Sequence, residues 1–159
     1  MTDTSIAKIE TAQTHGRFAT FFVSDLFFGV DVLRVQEVLR CQPMTRVPRA
    51  PKVIEGLINL RGQIVTAIDM RRRLGLESRS PAAAPMNVVV RTEEGAVSLL
   101  VDAIGDVIDV EGDAFELPPQ NLDARARGVI RGVCKLVDRL LLVLDTERAA
   151  EVGTAPGGP

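Results

Sequence analysis

The chain has no tryptophan or tyrosine, only six phenylalanines, two cysteines and a single histidine among its 159 residues. Each shortage excludes something. Without large aromatic rings a core must be filled by Val, Leu and Ile, which suits a chain that is 46% hydrophobic. The aromatic platforms on which single-stranded nucleic acids stack are missing, and a net charge of −2 is not that of a chain with a basic nucleic-acid-binding face. Cys41 and Cys134 are far apart and have no histidine beside them, so two buried free thiols in a reducing compartment are expected. His15 lies in a polar N-terminal stretch, a poor setting for a catalytic base. There is no apolar run of about 18 residues, and MTDTSIAKIETAQTHGR has no signal-peptide segment. A cytoplasmic protein with no direct membrane insertion is therefore expected. Nucleophile-elbow, zinc-protease and phosphate-loop motifs are all missing, so no catalysis, cofactor or metal is expected.

What is present is a succession of short β patterns. Arg17–Val23 and Leu26–Asp31 read as a hairpin, Val32–Leu39 as a short helix, and Met44–Val47, between prolines, as a short edge strand. Val53–Asn59 reads as a helical turn, Gln63–Asp69 as a strand, and Met70–Leu74 as a basic helix ending at Gly75. After a Pro/Ala-rich linker (ESRSPAAAP, residues 77–85), strands resume at Asn87–Thr92, Ala96–Asp102 and Ile104–Val110. An acidic loop follows over Gly112–Asp123, then a hairpin (Gly128–Leu136 with Arg139–Asp145) and a closing helix over Thr146–Val152. Many short strands at close spacing predict small barrels rather than a parallel sheet. The expected organisation is a flexible arm over residues 1–16, one domain of two barrel subdomains over 17–152 with a hinge near 77–85, and a disordered tail over 153–159. Phe22, Ile64 and Val65 are expected in the first core, and Val89, Leu99 and Leu142 in the second.

Charge is unevenly divided. Ten basic residues face four acidic ones between Arg34 and Arg79, whereas Glu93–Asp123 holds nine acidic residues and no basic one. Two solvated surfaces explain this as readily as electrostatic steering of partners. Asp102 and Asp106 are too isolated to suggest acid–base catalysis. The stretch GLINLRGQIVTAID, Gly56–Asp69, is more informative. Gly56 and Gly62 bracket positions where the backbone turns sharply or another segment comes close. Arg61 sits at the joint of two apolar runs, either as a plain exposed arginine or paired with a carboxylate, for which Glu37 is the candidate.

FFGVDVLRVQEVLR (Phe27–Arg40), TRVPRAPKVIEGLINLRGQIVTAIDMRRRLG (Thr45–Gly75) and SLLVDAIGDVI (Ser98–Ile108) together resemble the CheW family of chemotaxis coupling proteins, over about Arg17–Arg148. The resemblance implies a mainly β fold of two small SH3-like five-stranded β-barrels with short connecting helices. It also implies a non-catalytic adaptor at receptor arrays beneath the inner membrane. Such an adaptor couples the cytoplasmic tip of a chemoreceptor to the regulatory domain of a CheA-type histidine kinase. By position, Val35, Glu37, Arg61, Met86 and Val107 would form the receptor-binding set, with Arg61 paired to Glu37. Val30, Asp31 and Leu33 would form a kinase-binding edge, and Phe115-Glu116 a second kinase contact. A related adaptor of a parallel pathway, serving pili or gliding, has the same scaffold. A small-barrel nucleic-acid binder using the basic Arg34–Arg79 half is the alternative from another class.

Overall fold

The computed structural model describes residues 16–111 and 115–152; the expected arm up to His15 and the tail from Gly153 lie outside them. Strands β1 (Gly16–Val23) and β2 (Leu26–Asp31) form the first hairpin. A single 3-10 turn, Val32–Arg34, then leads into β3 (Val35–Arg40). β4 (Ile54–Leu60) and β5 (Gln63–Asp69) form the second hairpin, followed by the one-turn helix α1 (Met70–Arg73). After residues 74–85 come β6 (Met86–Thr92), β7 (Gly95–Val101) and β8 (Ala103–Val110). The remainder comprises β9 (Phe115–Glu116), α2 (Ala124–Arg127), β10 (Ile130–Lys135), β11 (Leu140–Leu144) and α3 (Thr146–Ala150). The fold is mainly β, in two sheets ordered β8-β1-β2-β11-β10-β9 and β3-β6-β7-β5-β4. The first sheet thus has a sixth, two-residue strand beyond the five expected.

Both sheets curl because most of their central strands are apolar on both faces. In β7, Leu99 and Val101 join one buried cluster and Leu100 another; in β11, Leu142 and Leu144 point one way, Leu141 and Val143 the other. Ile58, Leu60, Val65, Ala67, Val89 and Leu100 make a core that also holds Leu39 of β3. It therefore draws on all five strands of the second sheet, as the inner face of a curled sheet does. Phe18, Val110, Cys134, Leu141 and Val143, with Phe27 and Phe115 against them, do the same in the first sheet. The largest cluster lies between the sheets. It joins Phe21, Phe28, Val30 and Leu142 from one side to Ile68, Val88, Val90 and Leu99 from the other, with Met70, Ala126 and Ala149 of the three helices.

Several expectations are corrected. Val35–Leu39 is strand, because β3 pairs antiparallel with β6 and the sheet's ladder outweighs a weak helical period. Residues 54–60 are strand for the same reason, paired along their length with β5. The expected edge strand Met44–Val47 is reduced to one bridge, Thr45 with Leu57. Segment 77–85 is not the joint between the sheets, since β5 and β6, on either side of it, belong to one sheet. The chain changes sheets at the turn Val32–Arg34 and at Asp102, points that composition does not mark. Val65, Val89, Leu99 and Leu142 are buried, but not in the two sets expected. Val65 and Val89 share the core of the second sheet, Leu99 and Leu142 lie in the cluster between the sheets, and Ile64 is 60% exposed. Strand alternation puts Phe22 on the face of β1 opposite Phe21 and Val23. There it is half-buried against Phe27 (4.9 Å between ring centroids), with the Arg139 guanidinium above both rings. Cys134 is buried as expected, but Cys41 is exposed.

The crossing at Asp102 is held by charge. Arg71 donates from Nε (3.0 Å) and Nη2 (2.7 Å), Arg79 from Nε (2.9 Å), and the Ser24 N–H from 2.6 Å. Burial raises the carboxyl's pKa, but these donors overcome that effect and hold it at about 2 against an ordinary 3.8. A lowered folded-state pKa stabilises fully above 3.8, and the contribution is lost as pH falls through about 2. Asp102→Asn should therefore cost about 2 kcal/mol at neutral pH. It should also flatten the fall in stability between pH 4 and pH 2, as read by urea unfolding across that range.

Candidate functional site

The hairpin joining β4 to β5 turns on two residues, Arg61 (φ 53°) and Gly62 (φ 89°). Two positive φ angles in a two-residue loop define the type I′ geometry that matches strand twist. Asn59 secures it, its Oδ1 accepting from the Gly62 N–H at 2.8 Å. Glycine suits the second position; an arginine at the first carries a Cβ in a conformation that favours Asn, Asp or Gly. Its guanidinium reaches Glu37, with Nη1 2.6 Å from Oε2 and Nη2 2.9 Å from Oε1. The open alternatives for Arg61 thus resolve to a bidentate pair, whose planar fork fixes direction as well as distance. The Arg61 hydrogen bonds lower the Glu37 pKa, and Glu37 raises that of Arg61.

The pair spans the ends of the second sheet. Glu37 is on β3, one outer strand of the order, and Arg61 extends from β4, the other. A second tie closes the same gap. The chain leaving β3 crosses to β4, where Thr45 and Leu57 exchange N–H···O bonds of 2.9 and 2.8 Å. Gly56 makes that approach possible, since a Cβ there would lie 2.8 Å from the Thr45 carbonyl oxygen. The close approach expected at Gly56 is thus to Thr45 of the same chain.

The other residues of the receptor-binding set are more scattered. Val35 stands two residues before Glu37 on β3 and packs against the inter-sheet core. Met86 is opposite Arg40 at the far end of β3, half-buried against that core. Val107 is on the outer strand of the other sheet, opposite Ala19 and 53% exposed.

Of the kinase-binding set, Leu33 is 80% exposed while Val30 is fully buried. Val30 therefore cannot present a surface; strand alternation aims it with Phe28 into the inter-sheet core. Asp31 orders the turn by accepting the Leu33 N–H at 2.9 Å, and Arg91 holds the Leu33 carbonyl. Phe115 packs into the core of the first sheet over Gly132, and Glu116 pairs with Lys135 at 3.6 Å. The sequence reading missed Thr45, whose role depends on a single bridge, and the grip of Arg71 and Arg79 on Asp102. Crowding of acidic residues around Asp102 concealed the one that is half-buried between two arginines.

The family model for the CheW-like domain matches residues 17–152, nearly all of the described chain. The chain belongs to the CheW family. It is 30% identical over 127 residues to the probable chemotaxis protein CheW of Rhizobium etli, covering 80% of this chain and 82% of that one. It is 29% identical over 139 residues to the chemotaxis protein CheW of Bacillus subtilis, covering 87% of each. Its fold superposes on the crystal structure of the scaffolding protein TtCheW of Thermoanaerobacter tengcongensis with a TM-score of 0.74 at 28% identity, over 82% of this chain and 88% of that one. Among the described residues, no helix is long and apolar enough to cross a membrane.

In this CheW-family chain, the tie at Gly56 should be more sensitive than the exposed turn. Gly56→Ala should destabilise by roughly 1–3 kcal/mol through overpacking against backbone. Arg61→Asn suits the left-handed turn and should leave the urea midpoint nearly unchanged. Equal losses in the two variants would contradict this assignment.

Proposed function

We propose that this CheW-like scaffold of chemotaxis couples the cytoplasmic tip of a chemoreceptor to the regulatory domain of a CheA-type histidine kinase, without chemistry of its own. It does so in the cytoplasm, at receptor arrays. The observation that carries the reading is the bidentate Arg61–Glu37 pair at the N-L-R-G turn, in a chain whose family match spans 17–152. The pair holds β3 against the β4–β5 turn and gives a docking helix an oriented, charged margin beside Val35; helix-in-groove docking is the mode such a partner uses. A non-catalytic role is supported by how the charged side chains are used. Glu37 is engaged by Arg61, and Asp102 by Arg71 and Arg79.

The kinase-facing surface is assigned to Leu33 with Asp31 beside it. An exposed leucine on a turn ordered from both sides is a suitable anchor, because little conformational freedom is lost when a partner covers it. Leu33→Asp should weaken kinase binding at least thirtyfold, equivalent to about 2 kcal/mol, and leave receptor binding and the melting temperature unchanged. Equal loss of both partners, with an altered circular dichroism spectrum, would mean misfolding and defeat the assignment.

Arg61→Ala should keep the fold and impair receptor-dependent kinase activation in a reconstituted assay. The exchange Arg61→Glu with Glu37→Arg separates two roles. Partial recovery means that the pair orients the site, whereas no recovery means that Arg61 touches the receptor itself. Full activation by Arg61→Ala alone would remove the pair from the mechanism.

A further inference from the structure

Six of the ten cations between Arg34 and Arg79 are already engaged. Arg34 pairs with Glu147, Arg61 with Glu37, Arg71 and Arg79 with Asp102, and Arg72 with Glu55, while Arg73 donates to the Arg148 carbonyl. Arg46, Arg49 and Lys52 have no such side-chain partner among the described residues. All three line one cavity of about 510 Å³, with Val47, Pro48, Ala50, Pro51, Ile54, Glu55 and Arg72. The one carboxylate there, Glu55, is neutralised by Arg72 Nη1 at 2.9 Å, and the same Nη1 donates to the Lys52 carbonyl. Three of the four cations without such a partner are thus gathered in one concavity of a chain whose net charge is negative, Arg40 alone lying outside it.

The loop that carries these cations is stiff and strained at one of them. The Ala50 N–H bonds to the Val47 carbonyl at 3.2 Å and the Ile54 N–H to the Pro51 carbonyl at 2.9 Å, so two consecutive turns make up the loop. In the first, Pro48 occupies the position that favours proline, and Arg49 follows with φ 67°. That is the type II pattern, whose third position ordinarily belongs to glycine or asparagine. A residue held in a sparsely populated conformation points to function when its side chain has something to reach; here Arg49 faces the cavity with Arg46 and Lys52.

We propose that this cavity binds a compact phosphate-bearing anion, a nucleotide or free polyphosphate, independently of the receptor and kinase surfaces. Its volume is that of a small-molecule site. Three cations on one short loop call for two or more negative charges on adjacent groups. A phosphate chain has them, whereas an extended acidic peptide points successive side chains to opposite faces and so spaces those on one face about 6–7 Å apart. Arginine forks match phosphate oxygens bidentately. The proline-braced loop needs little ordering on binding, and Val47, Pro48 and Pro51 give an apolar wall for the remainder of a ligand.

The test is calorimetric titration of the full chain with inorganic pyrophosphate, ATP and hexaglutamate, with chelator present and at about physiological ionic strength. Saturable binding of pyrophosphate or ATP is expected, weakened at least tenfold by Arg49→Gly and by Arg46→Ala. Arg49→Gly separates ligand from fold, because glycine suits that turn and its melting temperature should equal or exceed that of the parent. Equal affinity for pyrophosphate and ATP identifies the phosphate chain as the ligand; tighter ATP binding identifies a nucleotide. Absence of saturable binding into the millimolar range, retention of affinity in Arg49→Gly, or hexaglutamate binding as tightly as pyrophosphate would each overturn the proposal.

Discussion

Strands that are apolar on both faces cannot be satisfied by a single layer, and this constraint organises the molecule. β6, β7 and β11 each bury alternate residues in opposite directions. With no tryptophan or tyrosine to fill volume, small aliphatic side chains must be surrounded closely. Each sheet therefore curls around one of its faces, and the faces left outside meet in the largest cluster. The two halves do not hinge about a linker; they share a core in which Val30, Val90, Leu99 and Val101 have no exposed surface. Burying such side chains contributes roughly 1.5–3 kcal/mol each, so the contact between halves is as much a part of the fold as either curl.

Charge enters where that apolar pattern must be interrupted. Asp31, Asp69, Asp123 and Asp145 each accept an N–H at the start of a 3-10 or α-helical turn, and all but Asp123 do so where a strand ends. Asp102 does more. It lies between β7 and β8, where the chain passes from one sheet to the other, and takes donors from Arg71, Arg79 and the Ser24 N–H. Arg79 belongs to the Pro/Ala-rich segment that composition marks as a linker. Its guanidinium fastens that segment to the crossing, so the linker is tied down although it forms no strand.

Much of this was legible in the sequence, for identifiable reasons. Hairpins with glycine or aspartate at their turns were readable because local chemistry decides them, as at Ser24-Asp25 and Glu93–Gly95. The helix ending at Gly75 was readable from its basic last turn. β4 was misread although its partner β5 is local, across the two-residue turn Arg61-Gly62, a hairpin signal present in the sequence; β3 was misread because its partner, β6, is distant. Tertiary ladders of that kind leave no local period. The division into halves was misplaced because a proline-rich segment signals irregular backbone, not a change of sheet. Glu37 and Arg61 were singled out from residue type and position, and the structure joins them although 24 residues separate them. Val30 shows the limit of placement by position, since neighbours on a strand face opposite ways.

The two surfaces of the proposed coupling lie on one short piece of chain. Leu33 ends four residues before Glu37, and between them the backbone passes from an ordered turn into β3. Asp31 and Arg91 fix the first, Arg61 the second, and Val35 anchors the stretch in the inter-sheet core. A segment pinned at three points within a few residues has little freedom to move one surface independently of the other. A scaffold of this kind communicates by holding two partners in a set orientation, and its precision depends on ties made outside the apolar cores. The Arg61–Glu37 tie is largely exposed on the arginine side, where salt screens charge, so the paired forks, more than net attraction, give it direction. Geometry of that sort resists screening better than a single point contact would, because two parallel hydrogen bonds must both be lost before the turn can swing away from β3.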